Sequence, residues 1–305
     1  MKIVILDGHT INPGDLSWSK IEQFCDELIV HEKSDSDQIQ QRIAGCDVLM
    51  TSKCDITREI MANTPSLKYI GETATGYNNI DIEAAREFGI AVANIPAYAS
   101  DAVSQHTIAL MLEIANNVGL NNVSVQNGEW ASSEYFCYWK KPIILLAGKS
   151  LGIIGYGTIG KRVGEIASAL GMKVHVYSKD PEAAIKSDFL TLHCPLTEEN
   201  EKMINEEFIN RMKPGAVLIN TARGGLIDEA ALAKALKDGR LSAAGIDVLA
   251  EEPPAKGNPL IGLENCILTP HMAWAPKEMR QAVIDVLADN LAGWLNNEQR
   301  NRIDL

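Results

Sequence analysis

Short apolar runs recur along the first hundred residues, separated by segments with helical spacing. Residues 3–6, 28–30, 48–51, 69–72 and 91–94 read as strands, and their near-continuous apolar character is that of strands covered on both faces. Between them, 38–44 and 82–88 carry the 3.6-residue period of amphipathic helices. Alternation of this kind predicts a parallel sheet sandwiched by helices. A long helix is predicted from Ser100 to about Val118, with Val103, Thr107, Leu110 and Ile114 on its inner face. A loop with Asn127-Gly128 and an aromatic cluster (Trp130, Tyr135, Phe136, Tyr138, Trp139) follows it.

A second alternating system then begins, with strands expected at 151–154, 174–177, 189–193, 216–220, 243–248 and 267–269. The last helix, from about Pro276 to Leu295, repeats its apolar residues at Val283, Val286, Leu287 and Leu291, and its length suits packing back on the first system. The expected organisation is therefore α/β, with two doubly wound parallel-sheet (Rossmann-like) domains and the active site in the cleft between them. One domain is built from 1–99 plus 275–305 and the other from 100–274. A length of 305 residues fits two such units.

A net charge of −12 makes a nucleic acid or an anionic membrane a poor partner, because both attract basic surfaces. An anionic small molecule would need a local cluster of cations and backbone N–H groups. The six cysteines are scattered without metal-ligand spacing, so reduced thiols and no metal site are expected. The N-terminus reads as a strand rather than a signal peptide, and no apolar run reaches membrane-span length; a cytoplasmic protein is expected.

Gly155-Tyr-Gly157-Thr-Ile-Gly160 is a G-x-G-x-x-G turn between an apolar strand and a helix. Gly155 permits the tight turn, Gly157 lets the backbone approach a diphosphate, and Gly160 lets the helix pack on the strand. The N–H groups of Thr158 and Ile159 at the helix start suit an anion. A tight turn without ligand and an S-adenosylmethionine site are the competing readings. The following strand ends in Tyr177-Ser178-Lys179, without the carboxylate that an NAD site expects for the ribose hydroxyls. Ser178 does not repel a 2′-phosphate and Lys179 can attract one, so NADP is expected to be tolerated or preferred over NAD; the competing reading leaves Lys179 a solvated charge.

Arg223, Glu252 and His271 each follow a predicted strand of the second system, at the edge where parallel α/β sheets bind ligands. Together with the glycine turn, these residues carry a resemblance. The segments Ala74-Thr-Gly-Tyr-Asn-Asn-Ile-Asp81, Gly155 to Gly160, Leu192-His-Cys-Pro-Leu-Thr197, Asn220 to Gly224, Asp247 to Pro253 and Thr269 to Trp274 stand in the order found in the D-isomer-specific 2-hydroxyacid dehydrogenases, which the chain resembles over nearly its whole length. His271-Met-Ala-Trp-Ala and Phe136-Cys-Tyr-Trp139 resemble the glycerate dehydrogenase (hydroxypyruvate reductase) group within it.

The resemblance implies an NAD(P)-dependent enzyme that moves a hydride to or from C2 of a small 2-keto or D-2-hydroxy acid. Hydroxypyruvate and D-glycerate are the expected pair; glyoxylate, lactate-type or phosphoglycerate substrates are alternatives, as is an NAD-sensing scaffold without turnover. It also implies roles. Arg223 would bind the substrate carboxylate and polarise the C2 oxygen through its guanidinium fork. His271 would exchange the proton of that oxygen, oriented by Glu252. Ser52, Lys53 and the N–H groups of Thr75 and Gly76 would contact substrate. Asp247 would bind the nicotinamide carboxamide, while Thr107, His193, Cys194, Pro195, Thr221, Ala222 and Ala273 line the cofactor. A homodimer is implied, with Trp139 either a lid over the neighbouring subunit's site or a local packing residue. The chain departs from the family between Ser178 and Phe189, where the usual extra strand and helix do not fit; that strand is expected to be missing and the adenine end more open.

Overall fold

The computed structural model describes residues 1–96 and 99–305. Contacts divide the chain into two compact units, Met1–Ala99 with Ala275–Leu305, and Ser100–Trp274.

The first unit opens with β1 (Lys2–Ile5), α1 (Ser19–Glu22), β2 (Glu27–Val30), α2 (Ile39–Arg42), β3 (Val48–Thr51), α3 (Arg58–Ala62), β4 (Tyr69–Glu72), α4 (Ile82–Phe88) and β5 (Ala91–Ala93). The strands form one parallel sheet in the order β2-β1-β3-β4-β5, with Ile3 opposite Val48 and Thr51 opposite Glu72. Side chains alternate across it, as the strand period requires. Val4, Leu49, Ile70 and Val92 join the core that includes Ala84 and Ala85 of α4. Asp81 starts α4 by accepting the N–H of Ala84 at 2.8 Å, the usual work of an N-cap carboxylate.

The second unit contains α5 (Ser100–Asn116), α6 (Val118–Gln126), β6 (Ser150–Ile154), α7 (Thr158–Ala169), β7 (Lys173–Val176), α8 (Pro181–Ile185), β8 (Phe189–Leu192), α9 (Glu206–Arg211), β9 (Ala216–Asn220), α10 (Glu229–Lys237), β10 (Leu241–Ile246) and β11 (Cys266–Leu268). Its parallel sheet runs β11-β10-β9-β8-β6-β7. Leu190, Leu218 and Ile246 pack on one face with Phe208 of α9 and Leu232 of α10. Leu151, Phe189 and Ile219 pack on the other with Met111 of α5 and Val163 of α7. The chain then returns to the first unit in α11 (Lys277–Leu295), whose Leu287 lies where a side chain on Gly71 of β4 would reach, while Trp294 stacks at 5.1 Å from Tyr69.

Three sequence expectations need correction. The helix from Ser100 stops at Asn116, because Asn117 takes a left-handed conformation (φ 51°), and a second helix, α6, follows where a loop was expected. Asn tolerates that conformation by bonding locally, and the residues beyond it lack a strong apolar period. The expected helix at 38–44 is shorter, a 3-10 turn at Ser36–Gln38 followed by α2. Four strands of the second unit end before the sequence limits: β7 at Val176, with the N–H of Tyr177 still donating to Ile153 at 2.9 Å, and three others at Leu192, Ile246 and Leu268, so that His193, Asp247 and Thr269 leave the ladder. Each keeps one bond back to it: the N–H of His193 donates to Ile154 at 2.7 Å, that of Asp247 to Asn220 at 2.9 Å, and that of Thr269 to Ile246 at 3.0 Å. Between Ser178 and Phe189 there is no strand, only α8, and β7 is the edge of the sheet.

Candidate active site

In the second sheet β6 is flanked by β7 and β8, so connections leave it in opposite directions. A crevice opens at the strand ends where the order reverses. Gly155 follows β6 with φ 90°, and a Cβ there would meet the backbone nitrogen of Cys194 at 2.4 Å. Only glycine lets the loops after β6 and β8 approach so closely. Gly160 has the same cause, since its Cβ would fall 2.1 Å from the carbonyl oxygen of Gly155. Gly157 differs. A Cβ there would meet nothing within 4 Å, so its lack of a side chain leaves open space above the start of α7. No side chain caps that helix, and the N–H groups of Thr158 and Ile159 have no acceptor among the described residues. Free helix donors beside a bare backbone fit the diphosphate of a dinucleotide.

At the end of β7, Ser178 and Lys179 are exposed. Asp180 adds a carboxylate that the sequence reading passed over, and it is already engaged: it accepts the N–H of Ala183 at 3.1 Å and caps α8. His193 turns inward. Its Nε2 lies 3.0 Å from the Thr191 hydroxyl, its buried Nδ1 has no partner, and burial pushes its pKa down to about 4, so the ring is neutral. Cys194 is half-buried and Pro195 exposed. Thr107 is fully buried, bonded to the Val103 carbonyl at 2.8 Å and to the Thr221 hydroxyl at 2.9 Å, so it bears on the site through Thr221.

Arg223, Glu252 and His271 line one open pocket of about 180 Å³ with Leu196, Val248 and Leu249. Arg223 is exposed and its Nη1 donates to the Ala222 carbonyl at 2.7 Å. The turn beneath it is built by Asn220, whose buried side chain donates to the Arg223 carbonyl and accepts the N–H of Ala222. Gly224 sits so close to Leu249 that a Cβ would fall 1.9 Å from its carbonyl carbon. Asn220 and Gly224 were legible as parts of a motif, but their structural duties were not.

His271 donates from Nδ1 to Glu252 Oε2 at 2.6 Å, and the other oxygen of Glu252 accepts the N–H of Leu249 at 2.9 Å. With Nδ1–H fixed, Nε2 is the ring atom left to exchange a proton. His271 occupies the left-handed region (φ 51°), a strained choice for this residue that tertiary bonds must hold. Asp247 holds it. The Asp247 carbonyl accepts the His271 N–H at 2.8 Å, and its carboxylate takes the N–H groups of Met272 and Ala273 at 3.0 Å each and the Thr269 hydroxyl at 2.5 Å. His106 of α5 completes the set, 3.0 Å from the Thr269 hydroxyl. No linear signal ties His106 to a residue 163 positions away. Burial pushes the Asp247 carboxyl up, but the bonds from His106, Thr269, Ala273 and Met272 together outweigh it and hold the group below its ordinary value.

Residues 108–273 match the family model for the NAD-binding domain of the D-isomer specific 2-hydroxyacid dehydrogenases. The chain is 43% identical to a hydroxypyruvate reductase of Blautia hydrogenotrophica, with all of both chains covered. The chain belongs to the D-isomer specific 2-hydroxyacid dehydrogenase family. It is an oxidoreductase of the CH–OH type that uses NAD(P). A glycerate dehydrogenase of Methylorubrum extorquens is 42% identical over 99% of each chain. Among solved structures, an acyclic imino acid reductase in complex with NADPH and D-Arg is 33% identical, with 99% of this chain and 100% of that one covered and a TM-score of 0.84. Among the described residues of this dehydrogenase, no helix is long and apolar enough to cross a membrane.

In the first unit the expected substrate residues lie in the segments that follow β3 and β4. The N–H groups of Ser52 and Lys53 donate to Asp7 Oδ2 at 3.0 and 2.6 Å. The Thr75 hydroxyl donates to the Ile95 carbonyl at 2.7 Å, and Thr75 and Gly76 are exposed.

Proposed function

We propose that this dehydrogenase interconverts hydroxypyruvate and D-glycerate. The observation that carries the reading is the 2.6 Å bond between His271 Nδ1 and Glu252 in the same pocket as Arg223. The Arg223 guanidinium binds the substrate carboxylate and draws electron density from the C2 oxygen. His271 Nε2 protonates that oxygen during reduction and takes the proton back during oxidation, while Glu252 keeps the ring aligned. When bound, the nicotinamide supplies or receives the hydride at C2. Gly155 to Gly160 and the N–H groups of Thr158 and Ile159 hold the diphosphate, and Asp247 and Ala273 border the carboxamide end. Ser52, Lys53, Thr75 and Gly76 are the remaining substrate contacts.

NADP(H) is accepted and preferred. Supporting this, Ser178 offers no charge to repel a 2′-phosphate, Lys179 is exposed beside it, and the one nearby carboxylate, Asp180, is spent on a helix cap. The protein works in the cytoplasm as a homodimer. The apolar surface of α6 (Val118, Leu120, Val123, Val125) and the exposed Trp130, Phe136 and Trp139 support a subunit contact, with Trp139 placed to shield the neighbouring site.

The test is turnover of hydroxypyruvate and of glyoxylate with NADPH and NADH, followed through the absorbance of the reduced nicotinamide. Faster reduction of hydroxypyruvate, with NADPH ahead of NADH, is expected. Preference for glyoxylate would move the assignment to that substrate, and no turnover with either would overturn it.

A further inference from the structure

Three strands of the first sheet end in a row of polar side chains that the catalytic scheme does not use. Asp7 follows β1, Thr51 closes β3, and Glu72 closes β4 in register with Thr51. Asp7 is 5% exposed and Glu72 and Thr51 are fully buried. One oxygen of Asp7 is crowded with donors: the N–H groups of Ser52 and Lys53 and the hydroxyl of Thr51 at 3.2 Å. Its other oxygen has no partner. Glu72 is poorer still. Oε2 accepts one bond, from Asn79 at 3.0 Å, and Oε1 has none. Lys53, which the Asp7 bonds hold at the turn, is exposed, and its charge acts on both Asp7 and Glu72.

We propose that Asp7 and Glu72 are positioning residues for the anionic substrate: Asp7 sets the turn that carries Lys53, and Glu72, as a proton-bearing acid behind it, adds no second negative charge beside the Lys53 ammonium. The proposal rests on the substrate contacts proposed for Lys53 above. Its physical basis is the donor count. A buried carboxylate ion with one neutral hydrogen bond is costly, and the group avoids that cost by keeping its proton. An ionised Glu72 would instead attract Lys53 and repel an incoming carboxylate.

The surroundings of Glu72 reinforce this. Burial is the main cause that raises its pKa to about 8; the Asn79 bond lowers it, Asp7 raises it further, and Lys53 and, least of all, the backbone N–H of Ala74 lower it. Its neighbours from other elements are neutral or already paired. Asn94, after β5, is occupied with the Thr75 carbonyl; α4 turns Ala84 and Ala85 to the core; α11 meets β4 through Leu287, and its Arg280 is bonded to Asp15. The Cys54 thiol, close by, is pushed up to about 11 by burial and carries no charge near neutral pH.

The test compares wild type with Glu72→Gln, which keeps the shape and removes the proton. KM for hydroxypyruvate is measured with kcat, because titrations common to both proteins cancel in the ratio. The ratio of wild-type to variant KM should rise roughly tenfold between about pH 7 and about pH 9, with the kcat ratio flat. In a Lys53→Met background the same Glu72→Gln change should leave KM independent of pH relative to its parent. Asp7→Asn should raise KM at every pH, and Asp7→Glu should restore part of it. A flat KM ratio in folded, NADPH-binding protein overturns the proposal. Infrared difference spectroscopy separates this failure from failure of the substrate assignment: a protonated-acid carbonyl band at neutral pH that vanishes in Glu72→Gln is expected even if hydroxypyruvate is not the substrate, and its absence overturns the proposal on its own.

Discussion

Asp247 follows β10 in the second unit and Glu72 closes β4 in the first, and both side chains are cut off from solvent. Burial alone raises either carboxyl. Asp247 nevertheless ends below its ordinary pKa, while Glu72 rises to about 8. Donor count makes the difference. Two backbone N–H groups, a threonine hydroxyl and an imidazole converge on Asp247; Glu72 has one side-chain amide at 3.0 Å and a weaker contribution from the backbone of Ala74, with one oxygen left unpartnered. An ion so well received can organise a strained turn and hold His271 in place. A carboxyl so poorly received keeps its proton and adds no charge at the strand ends beside Lys53. Depth in the fold does not assign ionisation; the hydrogen-bond partners do.

The largest expected effect lies at the residue that Asp247 supports. His271→Ala should lower kcat by roughly 10²–10⁴-fold, the usual span for a general acid, with NADPH binding retained by fluorescence titration. Turnover close to wild type would mean that the proton comes from elsewhere.

The matched amide substitutions probe the two carboxyls themselves. Asp247→Asn puts a donor where N–H groups converge and should cost about 1–3 kcal/mol in urea unfolding at neutral pH, with kcat falling as the His271 turn loosens. The lowered pKa of Asp247 makes its contribution complete above the ordinary carboxylate range and lost only in acid. A smaller effect belongs to the cofactor end of the second unit, where Ser178→Asp should shift the NADPH-to-NADH preference in kcat/KM roughly tenfold toward NADH, about 1.4 kcal/mol. An unchanged ratio would remove Ser178 from the specificity site. Opposite in sign is Glu72→Gln. The folded protein holds the Glu72 proton up to about pH 8 while the unfolded chain releases it near 4.5, so wild type loses stability across that window as pH rises. The melting temperature of the variant should therefore gain on wild type from acid to mildly alkaline pH. A gap that narrows over the same range would contradict a neutral Glu72.

Much of the second unit was legible in linear order. Strand period placed the ladder, the spacing of Gly155, Gly157 and Gly160 announced the turn, and Arg223, Glu252 and His271 stood in recognisable segments. Less was legible at strand ends. His193, Asp247 and Thr269 were read as strand because their apolar neighbours continue the pattern, and nothing local marks the residue at which a chain leaves its ladder. The helix α6 escaped for a related reason, since one left-handed Asn117 divides what spacing alone joins.

By itself the sequence determined two alternating α/β systems, a glycine turn of dinucleotide-binding type and the segments that carry Arg223, Glu252 and His271, because periodicity and short motifs depend on neighbours along the chain. Only the tertiary structure decided how His106, Thr269 and Asp247 brace the His271 turn, why Gly224 admits no side chain, and which buried acid keeps its proton. Those outcomes depend on donors that arrive from distant strands and helices, and a carboxyl's ionisation is set by what reaches it in space.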